Sequence, residues 1–473
     1  MVIAVASISE ILLDYKFLAQ VYELARKQPL HTLMQTELTS DSLREIPGGF
    51  MFRFGRNPFA LFRNAARKYG DICFISGGRS RIYLVNTPDY IHDILVTKHK
   101  DFGKRSPLKF LGNGLITSNG DFHHKQKRLI QPAFHQQKIA TYGKIITDYT
   151  TRAMSRWSEE QSVDMEEEMM HLTLEIVAKC LFGANIEHTW KDFRNAASTI
   201  VDHLDKRTGP MGIIINRLPL PTNARYRESV QKLDEIVYSI IRERRKSQSN
   251  ESDLMSMLLN ARDEDGSAMS DTQLRDEVVT LLFAGHETTA NALTWTFYLL
   301  SKNPTVEKKL HEELDMLLPN KRSPTAEDVP ALAYTSKVFT EALRLYPSVR
   351  LIPRFALNDS EIGGYRIPSG SLVLMSQFLI HRDPRFYTLP DSFNPERWTE
   401  EFRNEMPEYA YFPFGGGPRR CAGEPFAWME ASLIIAAIAR NWKTSLVPGK
   451  KYELRARIGS RPKYGMPILV SKR

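Results

Sequence analysis

The stretch Phe412–Ile435, FPFGGGPRRCAGEPFAWMEASLII, sets Cys421 between a glycine–arginine loop and an apolar, alanine-rich run. The chain has two other cysteines, Cys73 and Cys180. Gly415, Gly416 and Gly417 remove side chains, so the backbone there can approach a bulky flat partner and adopt φ > 0 without steric cost. Pro425, followed by the apolar run, predicts a helix starting just after the cysteine. An isolated cysteine is commonly a small buried hydrophobe. Here the thiol faces the positive end of a helix dipole beside two guanidiniums, an arrangement expected to favour thiolate. A thiolate in a loop is a soft metal ligand, and one cysteine suffices to hold haem iron axially.

Phe414-x-x-Gly417-x-Arg419-x-Cys421-x-Gly423 resembles the haem-binding loop of the cytochrome P-450 superfamily, the haem-thiolate monooxygenases. The resemblance extends from about Ile46 to the C-terminus. It implies a mainly α fold with a smaller β part, a helix-rich triangular prism with haem b between a long central helix and the Cys-bearing loop. It also implies Cys421 as the axial iron ligand, with Phe414 and Arg419 as further cofactor contacts.

Asp276–Leu300 reads as one long helix, apolar most of the way round and therefore buried. Inside it lies Ala284-Gly285-His286-Glu287-Thr288-Thr289. Glycine is unfavourable mid-helix, and a threonine hydroxyl can turn back onto a backbone carbonyl, so a kink is expected. The segment resembles the superfamily's oxygen-activation motif, which implies that Ala284 borders the cofactor, Thr288 hydrogen-bonds oxygen species and Glu287 links a proton path to solvent. His286 is expected on the helix surface or in a structural role, not as an iron ligand.

Glu341-Ala342-Leu343-Arg344 puts a carboxylate and a guanidinium one turn apart on a helix. With FNPERW at Phe393–Trp398, the pair resembles the superfamily's structural triad, with Arg397 as third member. Haem propionates need cations or donors. The resemblance offers Arg419, Arg354 and, from the pattern Gly120-x-x-His123-x-x-x-Lys127, His123 and Lys127. Lysine at 127 departs from the family's arginine and loses its bidentate geometry, so Arg128 is an alternative. The family's topology would line a substrate pocket with about 105–116, Phe283, Ala284, Val349, Leu351 and Ile352, an apolar set suited to an apolar substrate. The apolar loop at 209–221 is expected there too.

Of the 473 residues 42% are hydrophobic and 25% charged, which is ordinary globular composition. Three cysteines make neither a disulfide framework nor an iron–sulfur cluster, and they fit a reducing, cytoplasmic setting. The net charge of +9 suits an acidic protein partner, and nothing points to nucleic acid. Ile8, Ile11, Leu12, Tyr15, Leu18, Ala19 and Tyr22 fall at helical spacing. Glu10, Asp14 and Lys16 interrupt the run, so this segment cannot span a bilayer. The expected helix packs on the protein in preference to a peripheral membrane contact. Residues 1–45 are thus an N-terminal amphipathic or extended segment and 46–473 one catalytic domain, with no second cofactor-binding region after Ile438.

DICFI and RIYLV flank a glycine turn at Gly77–Gly78 and predict a hairpin. Glu361–Ser376 and YGMPILVS read as further strands. The resulting expectation is a monomeric haem-thiolate monooxygenase that inserts one atom of O2 into an apolar substrate, fatty acid-like or terpenoid/steroid-like. Its electrons would come from NAD(P)H through a ferredoxin or flavodoxin with its reductase. A peroxide-driven or rearranging haem-thiolate enzyme, and a non-catalytic haem gas sensor or carrier, stand as alternatives.

Overall fold

A computed structural model describes residues 58–77, 80–104, 108–206, 220–246, 253–262, 268–455 and 459–473. The N-terminal helix, the boundary at Ile46 and most of the loop 209–221 lie outside these residues.

In chain order the longer helices are α1 (Pro58–Tyr69), α2 (Gly120–Ile130), α3 (Gln136–Met154), α4 (Met165–Phe182) and α5 (Trp190–Lys206). They continue with α6 (Pro221–Lys246), α7 (Asp271–Lys302), α8 (Pro304–Leu317), α9 (Ala333–Leu345) and α10 (Glu424–Asn441). The strands are β1 (Ile72–Gly77), β2 (Ser80–Val85), β3 (Phe102–Gly103), β4 (Gln161–Asp164) and β5 (Ile352–Ala356), then β6 (Ser360–Ile362), β7 (Tyr365–Ile367), β8 (Leu372–Met375), β9 (Trp442–Leu446) and β10 (Pro467–Lys472).

The expected hairpin forms, with β1 and β2 antiparallel from Ile72↔Val85 to Gly77↔Ser80. It continues into a five-stranded sheet of order β1-β2-β8-β5-β3, in which β2 and β8 run parallel. A three-stranded sheet, β4-β10-β9, ties the C-terminal strand to the start of α4. Strands therefore gather in small sheets while helices carry most of the core.

The core centres on α7, which Ser270 caps by accepting from the Gln273 amide. Val278, Leu282, Leu293, Trp295 and Phe297 bury different faces of it, as an all-round apolar helix requires. The expected kink at Gly285 is not a break, because α7 is continuous from Asp271 to Lys302. A Cβ at Gly285 would sit 2.9 Å from Cγ2 of Val177. The glycine thus serves close approach of α4 and α7. Among the described residues no helix is long and apolar enough to cross a membrane.

Candidate active site

α10 begins at Glu424 with Pro425 in its first turn, as the sequence predicts. The loop ahead of it closes on itself, with the Cys421 amide donating to the Phe414 carbonyl at 3.0 Å. Gly417 has φ +62°, and a Cβ there would lie 1.8 Å from the Leu95 carbonyl oxygen. Only glycine fits that position. Phe414 is half-buried and packs on Trp428 with ring centroids 5.9 Å apart.

Cys73 and Cys180 are buried, whereas Cys421 keeps accessible surface. Burial still dominates the Cys421 thiol and pushes its pKa up, opposed by the Gly423 N–H, Lys127 and Lys104. The two guanidiniums expected to favour a thiolate are not among the groups that act most on it, because both are engaged elsewhere. Arg420 is spent on Glu424, with bonds of 2.6 and 2.8 Å, and Arg419 reaches the Ser118 carbonyl at 2.8 Å. A thiol that keeps its proton until a metal displaces it remains a competent ligand.

From Leu274 to Leu300, α7 is buried except at Phe283, Ala284, Gly285, Glu287 and Thr288. These residues form an accessible notch in an otherwise enclosed helix. Thr288 donates its hydroxyl to the Ala284 carbonyl at 2.8 Å, and Ser348 donates to the Thr288 carbonyl at 2.6 Å. Thr289 donates its hydroxyl to the Gly285 carbonyl at 3.2 Å, and on α10, the helix that follows Cys421, both carboxylate oxygens of buried Glu430 lack a hydrogen-bond partner. Burial pushes the Glu430 pKa well up and keeps that acid neutral. His286 is buried, not on the surface. Its Nδ1 lies 2.7 Å from the Leu282 carbonyl, and burial lowers its pKa to about 4.

Three cationic side chains and a histidine converge beside the loop. His123 and Arg354 are buried, and Arg419 has a buried Nη1 without a hydrogen-bond partner. Sequence reading missed Lys104, a lysine after β3 with no motif around it. Burial, then Arg354 and Arg419, lower its pKa to about 7. Burial and then Arg419 lower that of Arg354 to about 10, and burial with the surrounding cations takes His123 to about 3. Among the described residues no carboxylate is a leading influence on any of the four. Lys104, Arg354 and Arg419 are thus gathered, partly or fully buried, without a counter-ion among the described residues, with His123 beside them as a neutral donor, so the cluster calls for an anionic partner. The two propionates of haem meet that demand, and the thiol of Cys421 supplies the soft axial donor. Lys127, expected among the propionate contacts, instead donates to the carbonyls of Pro418 and Arg420 at 2.7 and 3.3 Å. Its compact ammonium braces the loop backbone.

The cytochrome P450 family model matches residues 48–463. The chain belongs to the cytochrome P450 family. It is 37% identical over 396 residues to cyclooctatin synthase of Streptomyces melanosporofaciens, covering 82% of this chain and 86% of that protein. It is 39% identical over 389 residues to cyclooctat-9-en-7-ol 5-monooxygenase of the same organism, with coverage of 80% and 84%. Pentalenene oxygenase of Streptomyces avermitilis is 31% identical over 406 residues, covering 85% and 90%. The crystal structure of the cytochrome P450DA haem domain superposes with a TM-score of 0.81 at 27% identity, covering 91% of this chain and 98% of that one. This P450 is accordingly a haem-thiolate monooxygenase. It uses haem b, O2 and electrons from NAD(P)H passed through redox partners to oxygenate an apolar substrate.

The residues expected to line the P450 pocket do not all stay together. Phe283 packs edge-on against Phe110, 5.1 Å between centroids, and a Cβ on Gly415 would touch Ile352 at 3.5 Å. Val349 is partly exposed at 39%. Leu351 belongs elsewhere. It is buried in a separate apolar cluster with Phe59, Leu84, Leu374 and Phe378, because alternate residues of an extended segment face opposite sides. The loop 112–115 also borders α7, its Asn113 and Leu115 amides donating to Asp276 at 2.7 Å and Glu277 at 3.0 Å.

Behind the cysteine loop, Glu341 accepts from Arg344, Arg397, Trp398 and the Asn394 amide. Arg344 donates in turn to the His381 carbonyl at 2.7 Å, and the Phe412 amide donates to Nε2 of His381 at 3.0 Å. The triad therefore reaches the start of the Cys-bearing loop through His381, a residue with no sequence signal.

Proposed function

We propose that this P450 oxygenates a cyclic terpenoid, with Cys421 as axial ligand and Glu287 and Thr288 as the proton-managing pair. Three terpenoid-modifying relatives, each matched over most of its length, carry the substrate reading. Phe110 and Phe283 supply apolar surface for such a ligand at the notch, and Ile352 supplies it beside Gly415 of the cysteine loop. The catalytic unit is residues 46–473, a monomer working in the cytoplasm.

Haem, when bound, supplies the oxygen chemistry. Arg354, Arg419, His123 and Lys104 would hold its propionates, and the closed loop around Gly417 fixes the position of the cysteine sulfur. Thr288 offers a hydroxyl at the notch, already held 2.8 Å from a backbone acceptor, and Glu287 beside it holds or passes a proton. The surrounding apolar side chains exclude bulk water.

A ferredoxin or flavodoxin with its reductase is the proposed donor. A depression of about 500 Å³ lined by His124, Lys127, Arg128, Gln131, Pro132, His135 and Pro418 lies against the cysteine loop and suits an acidic partner.

The test is a panel of cyclic terpenes and fatty acids added to the purified holoprotein while the haem spectrum is followed. Cyclic terpenes should displace the iron-bound water and be hydroxylated with a ferredoxin system. Spectral response and hydroxylation confined to fatty acids would overturn the substrate reading. Efficient turnover with peroxide alone would favour the peroxide-driven alternative.

A further inference from the structure

Arg461, on the segment leading to β10, lies between two carboxylates from different helices. Its Nε is 3.3 Å from Glu287 of α7 and 3.7 Å from Glu166 of α4. That buried Nε makes no hydrogen bond to either. The guanidinium is anchored elsewhere, through Nη1 to the Ser198 hydroxyl at 3.3 Å. Other charges near Glu166 are already engaged. Arg194 pairs with Glu167 at 2.5 Å, Arg455 with Asp202 at 2.7 Å, and Asp164 accepts from the amides of Glu166 and Met466. His286, also near Arg461, is neutral.

Successive helical residues point about 100° apart, so a Glu287 carboxylate resting on Arg461 must leave it to serve the side of Thr288. We propose that Glu166 is a positioning residue of the proton supply, competing with Glu287 for Arg461 and thereby setting how readily Glu287 is released toward Thr288. The inference rests on the proposed role of Glu287. Burial, only partly offset by Arg461, places the Glu166 pKa at about 7. Below that pH Glu166 is neutral and Arg461 holds Glu287. Above it, Glu166 is an anion that draws on the same guanidinium, and Arg461 holds Glu287 less tightly.

The test uses dithionite-reduced holoenzyme mixed with oxygenated buffer, without substrate, and follows the proton-dependent decay of the resulting absorbance in H2O and D2O. Carbon monoxide difference spectra verify thiolate-ligated haem in each variant. The wild-type decay should accelerate through an inflection near neutral pH. Glu166→Gln should remove the inflection and stay at the acid-limb rate, about threefold slower at alkaline pH, the scale set by a partly exposed ion pair. Glu166→Asp should restore the inflection. An inflection retained by Glu166→Gln, while Glu287→Gln slows decay, would overturn this inference and leave the role of Glu287 standing. Decay and isotope effect unchanged in Glu287→Gln would instead overturn that role and the inference with it. Infrared titration of the wild type gives an independent check. A carboxyl band should be lost between about pH 6 and 8 and be missing in Glu166→Gln, and the lack of such a band in the wild type would also overturn the inference.

Discussion

Arg344 grips Glu341 through two hydrogen bonds of 2.8 Å, one to each carboxylate oxygen, with both side chains fully removed from solvent. The remaining acceptor sites of Glu341 take Arg397, Trp398 and the Asn394 amide. Glu341→Ala would strand two buried guanidiniums, a loss of about 3–5 kcal/mol. The expected outcome is a protein that unfolds at markedly lower temperature and loses haem, because His381 and Phe412 carry the distortion into the cysteine loop. Thermal unfolding by circular dichroism, with haem retention after gel filtration, checks it. A wild-type midpoint would show that the network contributes no stability.

Ligation by Cys421 rests on the one accessible thiol of the three. The reduced protein with carbon monoxide should show the red-shifted absorption of a thiolate ligand. Cys421→His should give a histidine-like spectrum or lose haem, whereas Cys180→Ser should keep the wild-type spectrum. An unaltered spectrum in Cys421→His would rule out the assignment.

Thr288 sits in the accessible notch of a buried helix, with its backbone pinned by Ser348. Thr288→Ala removes a hydroxyl without disturbing that pin. Haem and substrate binding should persist while product formation falls on the order of a hundredfold and reducing equivalents appear as peroxide. Measuring product and peroxide against NAD(P)H consumed decides the point, and unaltered coupling would remove Thr288 from the mechanism.

Much of this site was legible because the chemistry dictates local spacing. The glycines before Cys421, the acid–alcohol pair and Glu341 with Arg344 each lie within a few residues of one another. The fold was legible through the apolar circumference of α7 and the hairpin around Gly77. What stayed hidden depends on contacts between distant segments. Lys104 joins the cationic cluster only because the segment after β3 passes beside Arg354 and Arg419. His381 matters through bonds to residues 37 positions before it and 31 after. Leu351 was misplaced because its apolar character says nothing about which face it takes, and Gly285 proved to be a packing contact with Val177.

Glu277 shows the same dependence on tertiary context and yields a pH prediction. It is fully buried, and burial raises its pKa from 4.5 to about 7 despite bonds from the Leu115 amide and Gln273. Between those values the folded state binds more protons than the unfolded state, so stability falls as pH rises through the window. The full penalty above it is on the order of 3 kcal/mol. Glu277→Gln should therefore unfold at higher temperature than wild type at alkaline pH, the difference shrinking toward zero near pH 4.5. Calorimetry at both ends of the window checks it. A difference independent of pH would mean that Glu277 does not titrate there.

The proposed electron donor is acidic, and the surface beside the cysteine loop is basic. Arg128 is exposed at the rim of the depression that Lys127 and Pro418 also line, while Lys127 is committed to the loop carbonyls. Arg128 can thus be changed without disturbing the support of Cys421. Transient encounters of this kind are steered by charge, so the reduction rate by ferredoxin should fall as ionic strength rises across the range where the Debye length drops from about 10 Å to 3 Å. Arg128→Glu should slow reduction severalfold at low salt, leave substrate affinity unchanged, and converge with wild type at high salt. Stopped-flow reduction under carbon monoxide measures each rate directly. A salt-independent rate would eliminate this face as the docking surface, and turnover of the isolated chain with NAD(P)H alone would eliminate the need for a separate donor.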